Sequence, residues 1–222
     1  MNNSVTNTAR LLWAGLRALL VLTVVTGVLY PLAVTGVAQG LFHDKANGSE
    51  IKAGGKVVGS SLIGQAYNLP LKKGQETPEP DLKWFQGRPQ NGLGVNSVNT
   101  QYKLILSGAT NRSGDNADLI KWVMDAKAAV IKDNSTSDYK VKPSDVPAEA
   151  VTSSGSGLDP DISPDYADIQ VHRVAVKNGL SVAQVQKLVD EHTDGRTLGF
   201  IGEPRVNVLE LNIALKELVA KS

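Results

Sequence analysis

The chain of 222 residues has no cysteine. That excludes a disulfide framework, a thiolate metal site and a thiol nucleophile. Histidine is nearly as scarce: His43, His172 and His192 lie far apart, with no HxxxH pair. Neither an imidazole zinc site nor a Ser-His-Asp type triad is therefore supported. No Gly-x-Ser-x-Gly elbow and no GxxxxGK(S/T) phosphate loop occurs, and no internal repeat is apparent. Aromatics are few, with 3 Trp, 5 Tyr and 3 Phe. Acidic residues are absent before Asp44, and the only charged side chains ahead of it are Arg10 and Arg17. From residue 43 onward the count is 21 Lys plus Arg against 22 Asp plus Glu, a formal net charge of −1. This balance offers no electrostatic attraction for nucleic acid or an anionic lipid surface.

What is present is a run of 25 residues, 18–42, without a charge. As a helix it would be roughly 37 Å long, against roughly 30 Å of bilayer hydrocarbon. Thirteen of its residues are Leu, Val or Phe, and it has no polar face, so a transmembrane helix is expected. The positive flank is the N-terminal one, which places residues 1–17 (a tail and the start of the anchor) in the cytoplasm and 43–222 on the periplasmic side. A cleaved leader competes with this reading through the small residues before Gln39. The run is longer than leaders usually are, and that favours a retained anchor. Tyr30-Pro31 in mid-span is expected to kink the helix. Gly36 and Gly40 form a GxxxG pair suited to helix packing.

Beyond the anchor the pattern reads as one mixed α/β (α+β) domain with a small sheet. Runs 56–59 and 61–65 suggest a hairpin, and 67–83, with three prolines and dense charge, a surface loop. Trp84 and Phe85 are expected in the core with Arg88 at its rim. A short strand is expected over 102–106, and a helix over 117–131 with its stripe on Leu119, Ile120, Val123, Met124 and Ala128. Trp122 lies off that stripe and is expected to pack on the preceding loop. Ser163-Pro164 starts a helix that stops at Asn178-Gly179. Ser181 and Gln184 form a capping box, with Val182, Val185, Leu188 and Val189 buried behind it. A strand is expected over 197–201, and a terminal helix beginning at Asn207 with Val208, Leu211, Leu215 and Leu218 inward.

Two stretches offer chemistry. Ser154, Gly155, Ser156 and Gly157 can form a nest of backbone N–H groups for an anion, or simply a tight turn. Asp159, Asp161, Asp165 and Asp168 form an acidic cluster around a helix start, and the first three in particular would attract a cation, although capping and the helix dipole also explain such carboxylates. No residue set points to metal binding or catalysis.

Five ordered blocks carry a family resemblance: VTGVLYPLAVTGVAQ (25–39), GSSLIGQ (59–65), WFQGRP (84–89), VTSSGSGLDPDIS (151–163) and HTDGRTLGFIGEPRVNVLELN (192–212). Together they resemble the C subunit of the Kdp potassium-transporting ATPase. The resemblance implies a bacterial inner-membrane pump in which KdpA selects potassium, KdpB hydrolyses ATP and the small KdpF peptide stabilises the assembly. This chain would be a non-catalytic accessory subunit needed for assembly. The family has also been described as a catalytic chaperone that raises the ATP affinity of the ATPase subunit, which would make Ser154–Gly157 a contact for ATP. Positive-inside orientation instead puts that loop outside, where ATP is scarce. Relatives often carry histidine at the position of Asp161, so a role tied to that side chain does not transfer. A tethered periplasmic binding or adaptor module for another membrane complex, using Trp84 and its neighbouring loops, is the alternative from a different class. A secreted hydrolase, cleaved after Ala38, is the third.

Overall fold

The computed structural model describes residues 3–90, 93–95 and 105–222. It divides into two units, Met1–Glu50 and Ile51–Ser222.

The first unit is helical. Helix α1 (Asn3–Val24) passes through a π-helical turn (Val25–Leu29) into α2 (Tyr30–Leu41), and a short α3 (His43–Ala46) follows. Ser4–Leu41 is one candidate membrane span of 38 residues, with mean hydropathy 2.1. The helix thus starts well ahead of residue 18. At roughly 57 Å it exceeds the hydrocarbon thickness, leaving length for Arg10 and Arg17 to lie beyond it. The expected disturbance at Pro31 takes the form of the π turn. Proline has no N–H for the carbonyl one turn back, and just upstream the Tyr30 N–H donates to Val25 O, five residues earlier. The Thr26 hydroxyl, in turn, donates to Leu22 O at 2.7 Å.

A hairpin of β1 (Glu50–Ala53) and β2 (Lys56–Ser60) follows, all but Glu50 of it in the second unit. Gly54 (φ +57°) and Gly55 (φ +76°) supply the two left-handed residues that its two-residue turn requires. The strand expected over 61–65 does not form, so β2 pairs backward in sequence. Ser60 turns the chain by accepting the Leu62 N–H at 3.1 Å, and Gly64 N–H docks on Leu158 O at 2.8 Å. The 67–83 loop is closed by an isolated bridge between Asn68 and Pro80. Leu69 and Asp81 donate its bonds to Glu79 O and Tyr67 O, so the missing donor of Pro80 is not needed. Next, β3 (Gly94–Val95) pairs antiparallel with β4 (Ile105–Leu106). The rest of the expected strand, 102–104, lies outside the described residues.

Helix α4 (Ala117–Asn134) is capped by the Asn116 side chain, which accepts the Leu119 N–H. Its inward face holds Leu119, Val123, Val130 and Asn134, whereas Ile120, Met124 and Ala128 are exposed. The expected stripe is therefore rotated. A single 3-10 turn, Ala148–Ala150, leads to β5 (Asp161–Ile162) and α5 (Pro164–Asn178), then α6 (Val182–Glu191), β6 (Thr193–Asp194), β7 (Arg205–Asn207) and α7 (Val208–Lys221). The three short strands form an antiparallel sheet ordered β5-β7-β6. No strand covers 197–201: Thr197 and Ile201 close a tight turn instead, with Gly199 and Gly202 at positive φ. Ser163 and Ser181 cap α5 and α6 as expected, and Gly179 ends α5 at φ +68°. Val185, Leu188 and Val189 are buried, but Val182 is not. In α7, Val208, Leu211 and Leu215 face the core, with Leu218 partly buried.

Candidate functional site

Helix α5 organises the interior, and two of its buried side chains are polar: Gln170 and Arg173, 0% and 2% exposed. They hold the Trp84–Gln86 segment, which belongs to no strand. Gln170 exchanges two hydrogen bonds with the Gln86 backbone, accepting its N–H at 2.7 Å and donating to its carbonyl at 3.0 Å. Asn212 of α7 does the same for Phe85, at 2.9 Å in both directions. Arg173 donates to Leu82 O and to Trp84 O (2.9 Å), to Asn134 Oδ1 (2.8 Å) and to Gln170 Oε1 (2.7 Å). Asn178 takes Lys83 O at 2.8 Å. Side chains of two helices thus replace a neighbouring strand for carbonyls 82 to 86. Phe85 is fully buried and Trp84 packs on the core's edge, as expected. Burial pulls the Arg173 guanidinium pKa down to about 10, which leaves it charged at neutral pH. Burial likewise pushes the Tyr166 phenol up to about 12.

Arg88 leaves this segment for the acidic cluster. Its guanidinium pairs with Asp159 at 2.9 Å, and its buried Nε has no partner. Asp161 receives the Asn207 amide at 3.1 Å and the Arg205 guanidinium at 3.3 Å, and Arg205 also reaches Asp194 at 3.5 Å. Burial raises the Asp161 carboxyl pKa above its ordinary value; the Asn207 hydrogen bond and Arg205 oppose this only in part. Asp165 is exposed in the first turn of α5. Asp159, Asp161 and Asp165 line one depression of about 460 Å³, together with Glu149, Glu203 and Arg205, whereas Asp168 lies apart and accepts from the Gln186 amide at 2.8 Å. The five acids of the depression outnumber the three arginines paired with them, Arg88 on Asp159, Arg205 on Asp161 and Arg196 on Glu203, so it is negative, yet no metal-holding cluster of His, Asp or Glu occurs among the described residues. The depression can draw cations toward it by charge.

The Ser154–Gly157 loop is stitched to the neighbouring chain. Gly157 N–H donates to Ser154 O (3.2 Å) and Leu158 N–H to the Ser156 hydroxyl (3.1 Å). Ser156 O accepts from Gly108 N–H (3.1 Å) and the Ser107 hydroxyl (2.9 Å). Gly157, at φ +68°, has Leu93 2.7 Å from where a Cβ would lie. One backbone donor of the expected anion nest, the Gly157 N–H, is therefore already engaged. Ser154 and Gly155 do line a hollow of about 300 Å³ beside Trp122. Trp122 packs as expected on the preceding loop, with the Arg112 guanidinium 4.4 Å from its ring centroid. Among the described residues, a Cβ on Gly36 or Gly40 would meet nothing within 4 Å beyond the adjoining backbone of its own helix. His172 stacks on Tyr139 at 4.1 Å, and His43 and His192 lie elsewhere, in α3 and at the C-cap of α6.

Sequence reasoning missed Gln170, Arg173 and Asn212. Polar side chains on a helix read as a solvated face, and only their spacing beside buried Val171, Val174 and Leu211 hinted otherwise.

Comparison with known proteins converges on one family. The family model described as the c chain of the K+-transporting ATPase, KdpC, matches residues 12–217. A potassium-transporting ATPase KdpC subunit of Streptomyces avermitilis is 90% identical over 222 residues, covering 100% of both chains. One from Streptomyces coelicolor is 78% identical, covering 99% of this chain and 98% of the relative. Another from Kineococcus radiotolerans is 43% identical, covering 97% and 98%.

Proposed function

The chain belongs to the KdpC family of potassium-transporting ATPase subunits, and from that premise we propose that it is a non-catalytic accessory subunit that holds such a pump together from the outer face of the membrane. The observation that carries this reading is the reach of the family match, which includes both the apolar helix and the domain behind it. Its partners are a channel-like subunit (KdpA), an ATPase subunit (KdpB) and a small stabilising peptide (KdpF). ATP hydrolysis belongs to KdpB. Arg10 and Arg17 before a span without charges support a cytoplasmic N-terminus in the inner membrane and a periplasmic domain. On that side, the depression of Asp159, Asp161 and Asp165 would enrich potassium near the entry of the channel subunit. Neutralising all three as Asn should weaken apparent potassium affinity of the intact complex, and an unchanged affinity would remove this part of the proposal.

The hollow beside Ser154 and Gly155 favours a second reading, in which the loop contacts ATP of the ATPase subunit. Orientation separates the two. Single cysteines at Ser4 and at exposed Lys73 can be labelled with an impermeant reagent in intact cells, since the chain supplies no thiol of its own. Reaction at Lys73 alone supports the external role, whereas reaction at Ser4 alone overturns it in favour of nucleotide contact.

A further inference from the structure

The connection between β6 and β7 exposes apolar surface at an unusual density. Leu198, Phe200 and Ile201 are 80%, 72% and 51% exposed. The backbone is shaped to present them. Thr197 and Ile201 exchange hydrogen bonds at 2.9 and 3.0 Å, Gly199 N–H closes on Arg196 O at 3.0 Å, and an Arg196–Glu203 ion pair ties the neck at 2.5 Å. Leu198 sits at φ +56°, a conformation that leucine adopts only when its surroundings hold it there.

Three properties bear on what covers this tip. It is preorganised, which suits a shaped protein recess and gains nothing in a fluid lipid interface. Its neck carries Asp194 and Glu203 against Arg196 and Arg205, so it lacks the surplus of basic residues that draws a loop to anionic lipid. Finally, three side chains cover a few hundred Å² at most, against about 800 Å² per partner in a standard interface. Such a contact is too small to hold a free partner or a second copy from solution. It suffices where the partner is already held beside it in the same membrane, because tethering raises effective concentration.

We infer that the 197–201 turn is an anchor that seats in an apolar recess on a membrane-embedded partner subunit of the same complex. The inference rests on the subunit reading above and adds the contact point. Its test is photocrosslinking from p-benzoylphenylalanine in place of Phe200, in the intact complex in native membranes. An adduct with a multispan partner subunit is expected. A paired variant, Leu198→Ser with Phe200→Ser, alters only exposed side chains and should leave folding intact. It should lower retention of partner subunits after detergent extraction on the order of tenfold. Adducts with lipid alone, or no adduct in a complex that still co-purifies, would overturn the docking inference and leave the subunit reading standing. Failure of the unmodified chain to co-purify with any pump subunit would overturn both.

Discussion

At the scale of single residues, stability is concentrated in side chains that resemble surface residues in the sequence. Arg173→Ala removes four hydrogen bonds from a buried network, so a loss of about 3–5 kcal/mol is expected, read from the urea midpoint of the detergent-solubilised chain. Arg173→Lys should rescue little, because an ammonium cannot reproduce the planar fork that reaches Leu82, Trp84, Asn134 and Gln170 together. Asp161 contributes a pH dependence of the opposite sense to an ordinary salt-bridged carboxylate. Its folded pKa is raised, so the native state holds the proton more tightly than the unfolded chain does. Stability should then fall as pH rises from the unfolded value near 3.8 through the raised folded value, and stay level above it. Asp161→Asn should flatten that slope in a pH series of melting temperatures. The carboxylates were legible as a cluster in the sequence. That Asp161 is half-buried and shared between Asn207 and Arg205 was not, because the sheet register of β5 on β7 brings them together.

At the scale of elements, the caps were the most legible features, because each is a local bargain between one side chain and the first free N–H groups. Ser163, Ser181 and Asn207 all cap where expected. Short strands were the least legible, since two or three residues carry too little alternation to fix register. Thus 61–65 and 197–201 read as strands from β-prone composition and fold as turns. Glycine distinguishes the cases. A Cβ on Gly64 would lie 2.4 Å from Asp159 O, a backbone atom, so Gly64→Ala should cost about 1–3 kcal/mol and loosen the contact with Leu158. Gly155→Ala, which meets open space, should be near neutral in the same unfolding assay. In the apolar helix the prediction concerns association. Both positions are open at Cβ among the described residues, so Gly36→Leu with Gly40→Leu should keep its helicity by circular dichroism. If a neighbouring helix uses this face, co-purification of the pump subunits should drop; full recovery would remove the packing role.

At the scale of the whole molecule, the sequence changes after residue 42 from an uncharged run to a charge-balanced stretch, and the structure divides into two units after Glu50. The family was legible for a different reason: long blocks such as 192–212 hold cap, turn and core residues in one fixed order. What joins distant parts of the domain was hidden, because the bonds of Phe85 to Asn212 span 127 positions. That separation has a bearing on timing. A chain made from its N-terminus exposes the 82–86 backbone long before α7 exists, so its amides must wait for residues synthesised near the end. Until then Phe85 lacks the side chain that satisfies its backbone, so this part of the interior is completed only when α7 packs.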